Sequence, residues 1–217
     1  PHNEMIAKAT EVRGLKVTVS EVPVPVSYGP AFEGERVRGA DIYLECGGGR
    51  SDMCEWVHSV DMDDINDGEV VVNGPEMTEI ELNEKGKRLG PLAIEVKVAG
   101  RKMESDYEPI LERQIHHLLN GAEGVWHMGQ RDIVWTRVSK TAFSRGFRLR
   151  HYGDILIAKL LSEYPSIVDK VDVTMITEQQ EVDKRIEAAR KVYDDRNRRL
   201  EAMTDESVDT FYSCLLC

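Results

Sequence analysis

The first half of the chain reads in twos. Lys16-Val17-Thr18-Val19-Ser20-Glu21-Val22 alternates apolar and polar side chains, the pattern of a half-buried strand. Pro23 and Pro25 then remove ladder donors, so Val22 to Val26 reads as an edge or extended segment. Further strands are expected at 40–46, 55–60, 69–72, 78–82 and 92–99, separated by glycine-rich or acidic turns.

The second half changes period. Ser105-Asp106-Tyr107-Glu108 has capping-box spacing, and Ile110, Leu111, Ile115, Leu118 and Leu119 form a helical stripe ending at Asn120-Gly121. Asp154 is placed to cap a helix through Leu161, closed by Pro165. The β-branched run 171–176 reads as a strand. Thr177-Glu178-Gln179-Gln180 is a second capping-box pattern, opening a helix to about Met203. Its apolar face is Val182, Ile186, Ala189, Val192, Tyr193 and Leu200, with pairs Glu181/Arg185, Glu187/Lys191 and Asp194/Arg198 four apart. The expected fold is mixed α/β (α+β): a β-rich N-terminal half with a twisted mixed sheet, and a helix–strand–helix C-terminal half packed on it.

Composition narrows the class. The chain has 217 residues, 41% of them hydrophobic, enough for a substantial core. No apolar run approaches the roughly 20 residues that span a bilayer. The N-terminus lacks the pattern of a signal peptide, and four cysteines with one Cys-x-x-Cys suit a reducing compartment, so the expected location is the cytoplasm. A formal net charge of -11 disfavours nucleic acid and anionic membranes as partners. Against that background Arg131, Arg137, Lys140, Arg145, Arg148 and Arg150 share their stretch with a single carboxylate, Asp132. Two readings stand: a site for an anionic ligand, or arginines solvated or paired with the surplus carboxylates.

Trp126 and Trp135 flank this basic stretch. Indole stacks on heteroaromatic rings while guanidinium pairs with phosphate oxygens, which together suit a nucleotide-containing cofactor; at least one of the two indoles is expected in the core. Gly47-Gly48-Gly49 lacks the spacing of a dinucleotide or phosphate loop and reads as a turn, as does the acidic run 61–68, whose positions do not match a calcium loop. Cys46, Cys54 and His58 lack a fourth metal ligand, and the cysteines read as free, partly buried thiols. His116 and His117 are adjacent on a helix and point about 100° apart, so they cannot both face one metal. The chain ends in Cys214-Leu215-Leu216-Cys217, half of a zinc, cluster or dithiol motif. Its place after a long helix and a short polar connector favours a metal or cluster half-site.

Residues 205–217, Asp-Glu-Ser-Val-Asp-Thr-Phe-Tyr-Ser-Cys-Leu-Leu-Cys, closely resemble the segment entering the nickel–iron–sulfur site of the CO-methylating acetyl-CoA synthases. The likeness continues through residues 21–35 (Glu-Val-Pro-Val-Pro-Val-Ser-Tyr-Gly-Pro-Ala-Phe-Glu-Gly-Glu), Gly129-Gln130-Arg131-Asp132 and Arg148-Leu149-Arg150-His151-Tyr152-Gly153-Asp154, and so covers essentially the whole chain. The resemblance implies a middle domain at 1–203 and the start of a metal-bearing domain at 204–217. It implies a parent transferase that assembles acetyl-CoA from CO, a corrinoid-borne methyl group and coenzyme A, with a carbon monoxide dehydrogenase subunit and a corrinoid iron–sulfur protein as partners. The family's active site is a [4Fe-4S] cluster with two nickel ions. Cys214 then matches a cluster ligand, and Cys217 the cysteine that also bridges to nickel. Trp126 matches a tryptophan associated with coenzyme A, and Arg131, Arg137, Arg145, Arg148 and Arg150 would supply the basic surface beside it. The other cluster cysteines, the Cys-Gly-Cys nickel motif and the bacterial N-terminal domain have no counterpart in these residues. The expectation is therefore a coenzyme A surface without catalytic residues or resident metal. Two alternatives remain: a spacer domain docking the metal domain to partner subunits, and an independent metal-binding module.

Overall fold

A computed structural model of the protein describes residues 37–48, 53–130 and 133–202. The strand expected at Lys16–Val22, the extended segment after it, Gly49, Arg131, Met203, Cys214, Cys217 and the boundary at 203/204 lie outside the described residues. The strands are β1 (Ile42–Gly47), β2 (Met53–Ser59), β3 (Val70–Asn73), β4 (Arg88–Gly90), β5 (Leu92–Ala99), β6 (Val125–Gln130), β7 (Ile133–Ser139) and β8 (Lys170–Ile176). The helices are α1 (Glu108–Asn120), α2 (Lys140–Ser144), α3 (Arg150–Glu163) and α4 (Gln179–Glu201).

The architecture is mixed α/β, with the strands divided between two four-stranded sheets ordered β4-β1-β7-β6 and β2-β5-β8-β3. Both are mixed: β1 runs parallel to β4 and antiparallel to β7, while β5 runs parallel to β2 and antiparallel to β8. Leu44, Cys46, Val134 and Val138 of the first sheet share one core with Val57, Ile94, Val96 and Val173 of the second and with α1 and α3. On the other face of the second sheet, Val182, Ile186, Ala189 and Tyr193 of α4 bury Cys54, Trp56, Ala93 and Ile176. β5 is thus covered on both faces, which is why its sequence is nearly continuous in apolar residues.

Four local expectations change. The run 78–82 is not a strand: Glu79 and Ile80 donate backbone N–H to Glu76 in a helical turn, and Asn83 Oδ1 takes the amides of Lys85 and Lys87. The strand there is β4 at Arg88–Gly90, to which Leu82 makes a single antiparallel bridge. Asp154 does not cap a helix. Nothing breaks the chain before it, so α3 starts at Arg150, and Glu76 Oε1 accepts from the Leu149 amide at the helix entrance. Neither capping box forms: no side chain caps the turn before α1, and the Thr177 hydroxyl donates to the Pro75 carbonyl. On α4 only Glu187–Lys191 pairs as the spacing suggested, at 3.9 Å; Arg185 turns inward to Glu95, Glu181 meets Lys184 and Arg198 meets Asp195.

The open edge of the second sheet is closed by side chains. β2 is an edge strand, and its unpaired groups require partners. Glu112 accepts from the Val57 amide at 3.0 Å and Glu108 from the Ser59 amide at 2.8 Å. Arg196 of α4 donates to the Val57 carbonyl at 3.0 Å while bridging to Glu112 at 3.0 Å and Glu108 at 3.4 Å. Two helices are thereby fastened to one strand edge by buried charge.

Candidate functional site

Alternation along β1 and β7 sends Leu44, Cys46, Val134, Thr136 and Val138 inward and leaves Glu45, Trp135 and Arg137 on the outer face. Register aligns them: Glu45 lies opposite Arg137, and Arg137 opposite Trp126, with Leu89 opposite Glu45 on the outermost strand. One row, Leu89–Glu45–Arg137–Trp126, therefore crosses all four strands. In the next row Met128 faces Trp135, and Trp135 faces Gly47. Gly47 has φ +85°, and a Cβ there would lie 1.8 Å from the Val134 carbonyl oxygen. The glycine, the last residue of β1, serves the close approach of the two strands.

Arg137 sits in the middle of this face. Its guanidinium lies 4.9 Å from the Trp126 ring centre and 4.4 Å from that of Trp135, the two indoles meeting edge to face at 5.1 Å. Its Nε donates to the Glu45 carboxylate. Such cation–π contacts contribute about 0.5–2 kcal/mol each. A bulge between Ile42 and Leu44 lets Ile42 join Val37 and Trp126 in a small outer cluster while Leu44 stays in the main core. Trp126 is only 9% exposed and Trp135 is half-buried. The indole expected in the core is thus Trp126, the one the resemblance associates with coenzyme A.

The rest of the basic stretch is engaged locally. Arg148 stacks on Phe143 at 4.1 Å and donates to the Phe143 and Phe147 carbonyls. Phe143 in turn stacks on Tyr43 at 3.6 Å, and Arg88 lies 5.4 Å from the Tyr43 ring centre. Arg145 faces Glu123 at 3.7 Å, and Arg150 faces Asp154 at 3.7 Å. Burial raises the Asp154 carboxyl above its ordinary range, against the pull of Arg150. Arg137, Arg145 and Arg150 therefore each face a carboxylate, while Lys140 is exposed.

Sequence reasoning missed two acidic groups, the partly exposed Glu45 and the buried Glu55. Glu45 was unremarked because only strand register reveals its neighbour. Glu55 accepts from or donates to His127 Nε2 at 2.7 Å, both side chains being buried, and Asn120 grips the His127 backbone through both amide atoms. Cys46 and Cys54 are free, as expected, and more fully buried than the sequence suggests, and His58 bonds to Glu95. Burial pushes the Cys46 thiol up to about 12 and raises the Cys54 thiol as well, with the Glu95 carboxylate adding to the latter. Protonated thiols make poor metal ligands. His116 and His117 bring their rings to 3.8 Å, and burial together with His117 pushes His116 down to about 4. Among the described residues, no three His, Cys, Asp or Glu side chains gather to hold a metal.

A model of the CO dehydrogenase/acetyl-CoA synthase complex beta subunit family matches residues 24–182. The chain belongs to this family. It is 46% identical, over its whole length and 29% of the relative's, to the carbon monoxide dehydrogenase/acetyl-CoA synthase subunit alpha of Moorella thermoacetica. It is 40% identical to the acetyl-CoA decarbonylase/synthase complex subunit beta 1 of Methanocaldococcus jannaschii over 99% of the chain and 28% of that protein. With the corresponding beta subunit of Methanopyrus kandleri it shares 42% identity over 92% of the chain and 42% of the relative. The chain thus spans less than half the length of these relatives. The match takes in β1 to β8, including Trp126 and Arg137. None of the described helices is long and apolar enough to cross a membrane.

Proposed function

We propose that this family member works in the cytoplasm as part of a CO-methylating acetyl-CoA synthase, and that the outer face of the first sheet contributes to coenzyme A binding. The observation that carries the reading is the Arg137 guanidinium set against two indoles. Guanidinium and aromatic groups together recognise phosphate and adenine. Arg131, Arg145, Arg148 and Arg150 belong to the same proposed surface. Trp126 backs Arg137 and Trp135 and offers the ligand its uncovered edge. Holding coenzyme A by its nucleotide end would turn a bimolecular acyl transfer into a positioned one.

Cys214 and Cys217 are the residues proposed to ligate a [4Fe-4S] cluster, Cys217 bridging to nickel. Such a group would supply the carbon–carbon bond-forming chemistry, and thiolates are the donors that iron and nickel favour. A carbon monoxide dehydrogenase subunit and a corrinoid iron–sulfur protein are the proposed partners. Calorimetric titration with coenzyme A tests the sheet face: Trp126→Ala should weaken binding about ten-fold, by removing the indole that supports Arg137 and Trp135. Unchanged affinity in a folded variant would remove Trp126 from the site.

The pairing of Arg137, Arg145 and Arg150 with carboxylates favours a second reading, a spacer domain whose charges serve internal and subunit contacts. No heat with coenzyme A, together with retained binding to partner subunits, would select it.

A further inference from the structure

A carboxylate stands beside the proposed ligand face, where it would repel any phosphate. Glu45 shares a row with Arg137 and takes its Nε–H, and the two side chains keep 20% and 17% exposure. A guanidinium carries five N–H donors. Among the described residues the Arg137 side chain makes no other hydrogen bond, and its guanidinium already lies against Trp126 and Trp135. A stacked guanidinium offers its remaining donors in the fork that takes two phosphate oxygens. Arg148, by contrast, commits Nη1 to two backbone carbonyls.

We propose that Glu45 is a specificity-determining gate: it holds Arg137 in the indole pair until a phosphate group of the ligand takes the guanidinium over. The proposal rests on the coenzyme A reading and adds to it which arginine is exchanged and which carboxylate opposes binding. The incoming group must outcompete a carboxylate that is already in place. A pyrophosphate or phosphate monoester, carrying more than one negative charge, can do so; a neutral adenosine cannot. No covalent bond changes, and Arg137 keeps its charge throughout.

Glu45→Gln isolates the effect, because the amide keeps the size and an acceptor oxygen for Arg137 Nε while removing the charge. Calorimetry should show coenzyme A binding to Glu45→Gln about three- to five-fold tighter than to the unaltered protein, the range expected for an ion pair that keeps some contact with solvent. Its affinity should also fall more steeply with added salt. In an Arg137→Gln background the gain should shrink to what direct repulsion between carboxylate and phosphate leaves, the difference between the two gains being the Glu45–Arg137 coupling. Inorganic pyrophosphate, titrated separately, distinguishes the two levels. If pyrophosphate binds Glu45→Gln more tightly while coenzyme A gives no heat with any variant, the gate stands and the coenzyme A reading falls. If coenzyme A binds but Glu45→Gln leaves it unchanged or weaker, or tightens it equally without Arg137, the gate falls and the reading stands. Failure of both probes to bind overturns both.

Discussion

Gly129 occupies a position where a side chain would strike a carboxylate. A Cβ there would lie 2.1 Å from Glu55 Oε1 and 2.5 Å from Glu55 Cδ, so the backbone of β6 passes directly over the buried acid. Glu55 cannot retreat without leaving His127 Nε2, and among the described residues His127 Nδ1 has no hydrogen-bond partner. Gly129→Ala should therefore lose about 2–4 kcal/mol, combining overpacking with a stranded buried imidazole. Urea unfolding measures it. A loss below about 0.5 kcal/mol would mean that the carboxylate swings aside at little cost, and that the Glu55–His127 contact contributes little to holding β6 over β2. The same pair illustrates a limit of sequence reading. Glu55 and His127 each look like ordinary strand residues, and only the packing of β2 against the inner face of the first sheet makes them neighbours.

At the scale of elements, the fastening of α1 and α4 to the edge of β2 has a consequence in pH. An unperturbed glutamate titrates near ~4.3. Burial pushes Glu112 up to about 7, even with Arg196 and the Val57 amide pulling it down. The folded protein then retains a proton that the unfolded chain has released. The stabilisation linked to that proton is fully present below the unfolded value and is lost as pH rises to about 7. Relative to Glu112→Gln, which cannot ionise, the unaltered protein should lose on the order of 2–4 kcal/mol across that window. Denaturant melts of both proteins at closely spaced pH values would show it; parallel curves would place an ionised Glu112 in the fold throughout. Elements with a clean period were legible beforehand: β5 appears at 92–99 as expected, and α4 buries the anticipated Val182, Ile186, Ala189 and Tyr193. The β6–β7 hairpin was not read as strands, because its tryptophans, histidine and arginine drew a chemical reading although Val134, Thr136 and Val138 already alternated. The polar caps of helices failed for a related reason. Thr177 and Asp154 had suitable local spacing, but tertiary partners set their roles.

Taken as a whole molecule, the chain is layered: first sheet, shared core with α1 and α3, second sheet, then α4. Trp126 and Arg137 were visible as candidates from tryptophans beside a basic stretch and from the family resemblance, while their organiser Glu45 was not, since its contact spans 92 residues and depends on the register of β1 and β7. Layering also makes the two described cysteines natural reporters. Cys46 lies in the shared core, walled by both sheets, whereas Cys54 lies under α4 alone in a smaller cluster. Exposing Cys54 requires only that α4 lift away, releasing one amphipathic face, the Arg196 bridges and the Tyr193 hydroxyl bond to the Glu55 carbonyl. Exposing Cys46 requires the core itself to open. Sub-global openings of this kind occur at lower free energy than global unfolding. Pulsed thiol alkylation in increasing urea, read by peptide mass spectrometry, should label Cys54 at lower denaturant than Cys46, while both stay unlabelled in buffer because burial keeps their thiols protonated. Coincident labelling curves would instead show that α4 and the two sheets unfold as one cooperative unit, and that the buried Glu108–Arg196–Glu112 bridge joins the outer layer to the core as tightly as the core is joined to itself.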